Sequence, residues 1–152
     1  MFWFFAVIIR TILSAVLGGV IGMEREIHSH EAGLRTHILV CMGSSLIMLT
    51  SLYVFDIYKE INVVDPSRIA AGAITGIGFI GAGAIIRYGG SIKGLTTAAS
   101  LWITAGVGLA VGCGFYLAGI FTTIVTVAVL LILRNFEKDL LKKEEVKHGS
   151  ER

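Results

Sequence analysis

Residues 94–133 read GLTTAASLWITAGVGLAVGCGFYLAGIFTTIVTVAVLLIL, a run of forty residues without one charged side chain. As a single α-helix this run would be ~60 Å long, twice the ~30 Å thickness of the hydrocarbon core of a bilayer. It must therefore turn back on itself, and the glycines clustered at 108, 112 and 114 mark the place. We predict two membrane-spanning helices here, over residues 94–111 and 114–133.

The whole chain has the composition of a membrane protein. Hydrophobic residues make up 55% of it, charged residues only 16%, and the mean hydropathy is +0.80, whereas soluble domains are about a quarter charged. Nineteen of the 152 residues are glycine and one is proline, a combination that favours closely packed membrane helices. The net charge of +2 gives no basic surface for nucleic acid. Cys41 and Cys113 lie in apolar stretches and are interpreted as buried thiols.

Three further apolar segments precede the long run, and we predict spans over residues 2–23, 36–55 and 69–86. The first segment lacks a basic n-region and an A-x-A cleavage site, which favours a retained helix over a signal peptide. The fold class is therefore an all-α transmembrane bundle of about five helices over residues 1–133. A charged tail, 134–152, follows, either as a short interfacial helix or as a frayed end.

Basic residues indicate the orientation of the bundle. With the N-terminus outside and the C-terminus in the cytoplasm, ten of the thirteen Lys and Arg residues fall on the cytoplasmic side, as the positive-inside rule requires. Aromatic residues such as Trp3, Tyr53 and Tyr116 then fall at the outer interface.

Glycines recur four residues apart in three of the predicted spans. Residues at this spacing share one helix face, and small side chains there let a neighbouring helix approach closely. Residues 76–81 also match G-x-G-x-x-G, but a dinucleotide site needs a soluble βαβ unit around that motif. We predict that these glycines pack helices, and that the chain forms a homo-oligomer: Gly18, Gly22, Gly72, Gly76, Gly78, Gly81, Gly83, Gly108 and Gly112.

Two polar groups are candidate functional sites. A stripe on the fourth span could line a hydrophilic path or bond to its own helix backbone: Thr97, Ser100 and Thr104. A charge cluster at the inner ends of the first two spans is expected to form one hydrogen-bonded ion-pair group, because a short loop joins those ends: Glu24, Arg25, Glu26, Arg35 and His37.

Other kinds of site find less support in the sequence. His28, His30, Glu31 and His37 include ligand types for a metal ion, but their spacing is not diagnostic, so we predict no metal or other cofactor. The nucleophile-elbow, zinc-protease and phosphate-loop motifs are missing from the sequence, and we expect the protein not to be an enzyme.

Three ordered blocks carry a family resemblance. The first is Gly22-Met-Glu-Arg-Glu26 with Gly33-Leu-Arg-Thr-His37, and the second is Arg68-Ile-Ala-Ala with the glycines from 76 to 83. The third is Gly94-Leu-Thr-Thr-Ala-Ala with Trp102 and Gly106. Over residues 7–131 this pattern resembles the MgtC/SapB family. Position 72 departs from it, because it is Gly where many members are expected to have Gln, and the soluble C-terminal domain of many members has no counterpart in residues 134–152.

The resemblance implies a multi-pass protein of the bacterial or archaeal cytoplasmic membrane that is linked to growth at low magnesium. It also suggests another membrane protein as a partner, with the rotary ATP synthase as one possibility. We favour a non-enzymatic regulator that acts by binding such a partner within the lipid. The alternative is a transporter or channel for magnesium or another divalent cation. Magnesium prefers carboxylate ligands, and the predicted spans contain Arg10 but no carboxylate; a path lined by backbone carbonyls stays open.

Overall fold

The computed structural model describes residues 2–61, 65–88 and 90–149, and five helices dominate these segments. The helices and the two short strands follow in the order α1 Phe2–Ile27, α2 Leu34–Tyr58, α3 Ser67–Gly83, β1 Ile86–Tyr88, β2 Ser91–Lys93, α4 Leu95–Cys113 and α5 Tyr116–Gly149. The predicted all-α bundle of about five helices is therefore confirmed. α5 does not end near residue 133 but continues as a helix to Gly149.

Four helices, α1, α2, α4 and the first part of α5, are long and apolar enough to cross a membrane. α3 has 17 residues, which gives it a length of about 26 Å. Its start lies near the second half of α2, where the Ser51 hydroxyl donates to the Pro66 carbonyl. Its last turn lies beside the start of α4, where Gly81 meets Ala98. α3 therefore runs from the level of Ser51 on α2 to the start of α4.

The connection from α3 to α4 differs from the sequence prediction. The third span was predicted to continue to residue 86, but α3 ends at Gly83 and an antiparallel hairpin pairs Ile86 with Lys93. Gly94 has a φ of +85°, and a Cβ there would collide with the carbonyl oxygen of Ala84. Glycine is the residue that tolerates both conditions, so the chain can turn sharply from the hairpin into α4.

The centre of the bundle is α2, which packs between α1 and α4. A Cβ at Gly18 or Gly22 of α1 would come within 3 Å of α2 atoms, and one at Gly108 or Gly112 of α4 would do so on the other side. These two glycine pairs thus bring the three backbones into close contact. The hydrophobic core lies between them: Leu17, Ile21, Cys41, Val107 and Val111.

The glycines of α3 have different surroundings. A Cβ added at Gly72, Gly76, Gly78 or Gly83 would meet no atom of the described chain within 4 Å, and one at Gly81 would make only an ordinary contact with Ala98. Gly72 and Gly76 line an open apolar groove of about 600 Å³ between α2 and α3. They therefore pack against no helix of the described chain, and their predicted role in helix packing requires a partner outside it.

Two side chains near the turn from α4 to α5 also bear on the sequence interpretation. Arg10, the charge inside the first span, donates to the Gly112 carbonyl at 2.7 Å and to the Tyr116 hydroxyl at 3.1 Å. It thereby satisfies a carbonyl in the last turn of α4, which has no partner within the helix. Cys41 is buried as expected, but Cys113 is exposed; it lies at the last residue of α4, where its hydrogen bond is to its own helix at Ala110.

The packing predicts opposite effects for one substitution at two sites on α4. Gly108→Ala should destabilise the protein by about 1–3 kcal/mol, because the new methyl group overlaps the Cys41 carbonyl of α2. Gly106→Ala is the matched control, since nothing lies within 4 Å of its Cβ position and alanine favours helix by up to about 1 kcal/mol. Equal unfolding midpoints for the two variants in detergent would contradict this packing.

Candidate functional site

A charge cluster lies at the inner end of the bundle, which we define as the end that carries the α1–α2 loop. Glu24 and Arg25, in the last turn of α1, are only 5% and 3% exposed. Glu24 Oε2 lies 3.6 Å from Arg25 Nη1, and its Oε1 lies 3.6 Å from Nη1 of Arg134 on α5. His28 Nδ1 approaches Glu24 Oε1 at 3.1 Å. One buried carboxylate therefore joins the first helix to the last.

The cluster continues through α4 to the surface. Arg25 Nη2 donates to the Thr97 hydroxyl at 3.4 Å, and that hydroxyl donates to Glu31 Oε2 at 3.2 Å. Thr97 is 1% exposed, whereas Glu31 is exposed in the α1–α2 loop. The polar contacts thus run without a break from the loop surface to the buried arginine.

Two loop residues have pKa values that this arrangement lowers. The pKa of Glu31 falls because its own backbone N–H and then the Thr97 hydroxyl donate to the carboxylate. The pKa of His30 falls chiefly through partial burial and then through the nearby positive charge of Arg25. At neutral pH Glu31 is therefore ionised and His30 is uncharged.

His37 of α2 is fully buried and links a second part of the cluster. Its Nδ1 lies 2.9 Å from the Gly33 carbonyl oxygen, and its Nε2 lies 3.1 Å from the Ser100 hydroxyl. A carbonyl can only accept, so Nδ1 carries a hydrogen. The Ser100 hydroxyl also donates to the Thr97 carbonyl at 2.8 Å. Together these contacts hold the His37 side chain between α2 and α4.

The polar stripe of α4 divides into two kinds of residue. Ser100 and Thr104 donate to carbonyls of their own helix, the Thr104 bond to Ser100 being 2.7 Å long. Thr97 instead makes contacts to Arg25 and Glu31. Beyond the stripe, the buried core of Leu17, Ile21, Cys41, Val107 and Val111 lies between the cluster and the outer end.

The structure corrects the predicted membership of the cluster. Arg35 was expected to join it, but its side chain is exposed and makes no ion pair within the described part of the chain. Residues two apart on a helix point about 200° from each other, so the burial of His37 turns Arg35 outward. Glu26 also lies apart from the ion pairs, and its carboxylate accepts from the Leu34 N–H at 3.0 Å, which caps the start of α2.

Sequence reasoning missed Arg134, because it was assigned to the solvated tail. The available signal was its position as the first charge after the forty-residue apolar run, which places it at the same membrane level as Glu24 and Arg25. Among residues 3–61, 65–87 and 90–134, where side chains are described, Glu24 is the buried carboxylate. No group of three or more His, Cys, Asp and Glu side chains in the described residues could hold a metal ion.

Apolar helices that meet along glycine faces, with a buried ion-pair cluster at one end, define a multi-pass membrane protein. The chain belongs to the MgtC family, whose model matches residues 11–139.

Two relatives with curated descriptions support the assignment. "Putative magnesium transporter YhiD" of Escherichia coli is 48% identical over 138 residues, which cover 90% of this chain and 64% of that protein. Protein MgtC of Salmonella typhimurium is 38% identical over 130 residues, covering 86% of this chain and 53% of MgtC. The chain thus spans between half and two thirds of the length of these relatives. No solved structure is significantly similar to it.

The two threonines of α4 provide a test of the cluster. Thr97→Val should destabilise the protein by about 1–3 kcal/mol, because it leaves a buried Arg25 N–H without its acceptor. Thr104→Val is the matched control, equally buried but bonded only to its own helix. The measurement is the unfolding midpoint of each full-length variant in detergent, and a Thr97→Val midpoint as high as that of Thr104→Val would argue against the cluster.

Proposed function

We propose that this protein is a non-enzymatic regulator in the cytoplasmic membrane of a bacterium or archaeon. It supports growth at low magnesium by binding another membrane protein. The observation that carries the proposal is the apolar core between the charge cluster and the outer end, whose members are at most 8% exposed.

This core argues against a cation path through the middle of the bundle. A conducting path replaces the water around an ion with oxygen ligands at successive depths. Here Glu24 at the inner end lies against two guanidinium groups, which oppose a second cation. Farther out, the buried hydroxyls of Ser14 and Thr123 donate to carbonyls of their own helices.

The exposed face of α3 supports the partner-binding part of the proposal. Gly72, Gly76 and Gly83 leave the backbone of α3 uncovered, and Phe79 beside them is 84% exposed. Small residues four apart form the kind of surface on which membrane helices dock. A helix of a different membrane protein is the occupant we favour, and a second copy of this chain is the other occupant that fits.

Magnesium transport is the second candidate function. The name of the relative YhiD favours it. The two candidates differ in one measurable property, which is ion movement by the protein alone.

A flux measurement separates them. We expect proteoliposomes that contain the pure full-length chain to show no more magnesium influx than protein-free vesicles, because the apolar core blocks the bundle. A magnesium-sensitive dye inside the vesicles reports the influx, and an established magnesium channel reconstituted in parallel shows that the assay works. Saturable influx that depends on this chain would replace the regulator proposal with transport.

The charge cluster gives a second test, in cells. Arg25→Gln should abolish support of growth at low magnesium, because it removes the guanidinium that contacts both Glu24 and Thr97. Arg25→Lys should restore growth only in part, since lysine lacks the planar fork of donors. The readout is growth of a strain deprived of its own family member, together with the amount of each variant in the membrane.

Arg35→Gln is the matched control for this experiment. It removes the same charge from an exposed position outside the cluster, so growth should equal that of the unaltered protein. Full growth with Arg25→Gln at normal abundance would show that the cluster has no part in the function.

A further inference from the structure

A cavity of about 170 Å³ lies beside the charge cluster at the inner end of the bundle. It is several times larger than the ~30 Å³ share of one water molecule in the liquid, so it can hold a group of the size of phosphate. Arg25, Arg134, His30 and Thr96 form its polar side. Its other side is apolar and comes from α5: Val129, Leu130 and Leu133.

The arginines that line the cavity have buried donors without acceptors. Arg25 Nε and both Nε and Nη1 of Arg134 are buried and make no hydrogen bond to the residues whose side chains are described. Arg25 is 3% exposed as a whole. The Arg134 side chain is 24% exposed, but its Nε and Nη1 are buried. Buried donors without partners are costly and uncommon in folded proteins, and here they belong to two arginines that line a space large enough for an acceptor.

Glu24 does not satisfy these donors. Its oxygens lie 3.6 Å from one nitrogen of each guanidinium, a distance that permits charge attraction but exceeds that of a hydrogen bond. One carboxylate opposite two guanidinium groups leaves these three side chains with a net charge of +1. Among the residues whose side chains are described, Glu31 is the other anion near Arg25, but it is exposed and is therefore screened by solvent.

The position of the cavity indicates which kind of anion would fit it. Thr96 lies in the first turn of α4, where backbone N–H groups lack helical partners and the helix dipole is positive. Val129 and Leu133 are 47% and 57% exposed on the outside of the bundle, where lipid chains surround a membrane protein. An anion bound here would lie at the level of the lipid headgroups. Because apolar side chains lie beside it, it would be attached to hydrocarbon chains.

We propose that this cavity binds the phosphate group of an anionic membrane lipid, with Arg25 and Arg134 as its donors. Paired guanidinium groups match the oxygens of a phosphate because each presents a planar fork of N–H groups. The lipid would fill the space between α1, α4 and α5 and join the first helix to the last. The site does not depend on the proposed function, since its test measures binding.

The test uses the full-length chain in detergent and native mass spectrometry with phosphatidylglycerol or phosphatidylcholine. The unaltered protein should retain phosphatidylglycerol more tightly than phosphatidylcholine, which has a phosphate but no net charge. Arg134→Gln should weaken phosphatidylglycerol binding about tenfold or more, as expected for the loss of charge-assisted hydrogen bonds. The affinity of Arg134→Lys for phosphatidylglycerol should lie between those of the unaltered protein and Arg134→Gln, because lysine keeps the charge but lacks the planar fork of N–H donors.

Arg87→Gln is the matched control, because Arg87 is an exposed arginine of the β-hairpin, and its loss should leave lipid binding unchanged. Inorganic phosphate forms a second arm of the experiment. If it raises the unfolding midpoint of the unaltered protein but not of Arg134→Gln, the site binds phosphate and its source is soluble. Lack of preference for phosphatidylglycerol together with no effect of phosphate would overturn the proposal, as would equal losses in Arg134→Gln and Arg87→Gln.

Discussion

The close approach of α2 to both α1 and α4 is the contact on which the rest of the structure depends. Lipid tails are as apolar as the helix surfaces, so burial from water does not hold membrane helices together once they are inserted. Their association relies on packing, and packing at this distance requires a missing side chain. Gly22 meets Leu34 and His37 on one side of α2, and Gly112 meets Ser45 on the other. Because these contacts fix the depth of each helix, they also bring Arg25, His37 and Thr97 to one level.

The central contact divides the bundle into two chemically different parts. At the inner end, polar side chains from α1, the α1–α2 loop, α4 and α5 meet around Glu24. Toward the outer end the same helices meet through Leu17, Val107 and Val111. Arg10 is the exception in the outer part, and its partners explain it, since it bonds to the Gly112 carbonyl and Tyr116 where α4 turns into α5. In the described part of this membrane protein, charged side chains within the bundle therefore lie near helix ends, where carbonyls and polar side chains are available as partners.

Local sequence patterns predicted the features that one helix determines by itself. The lengths of the apolar segments predicted the helices, and glycines spaced four residues apart predicted the faces on which α1 and α4 pack. Features that depend on which helices meet were not accessible in this way. The pair Gly72 and Gly76 has the same spacing as Gly108 and Gly112, yet it faces an open groove. Arg134 is more than a hundred residues from Glu24, and Arg35 is much nearer along the chain but faces away. The hairpin escaped prediction because its strands have only three residues each.

The cost of the charge cluster is itself informative. Replacing a buried ion pair by apolar side chains is often neutral or stabilising, so helix packing alone does not require Glu24, Arg25 and Arg134. The apolar core next to the cluster, to which Ile21 of α1 and Cys41 of α2 belong, shows that neighbouring helices of this bundle can pack without charge. Desolvated charges within a membrane protein are characteristic of functional positions. The cluster also reaches the surface, from Arg25 through Thr97 to Glu31. The α1–α2 loop is therefore connected to the buried arginine through the hydroxyl group of Thr97.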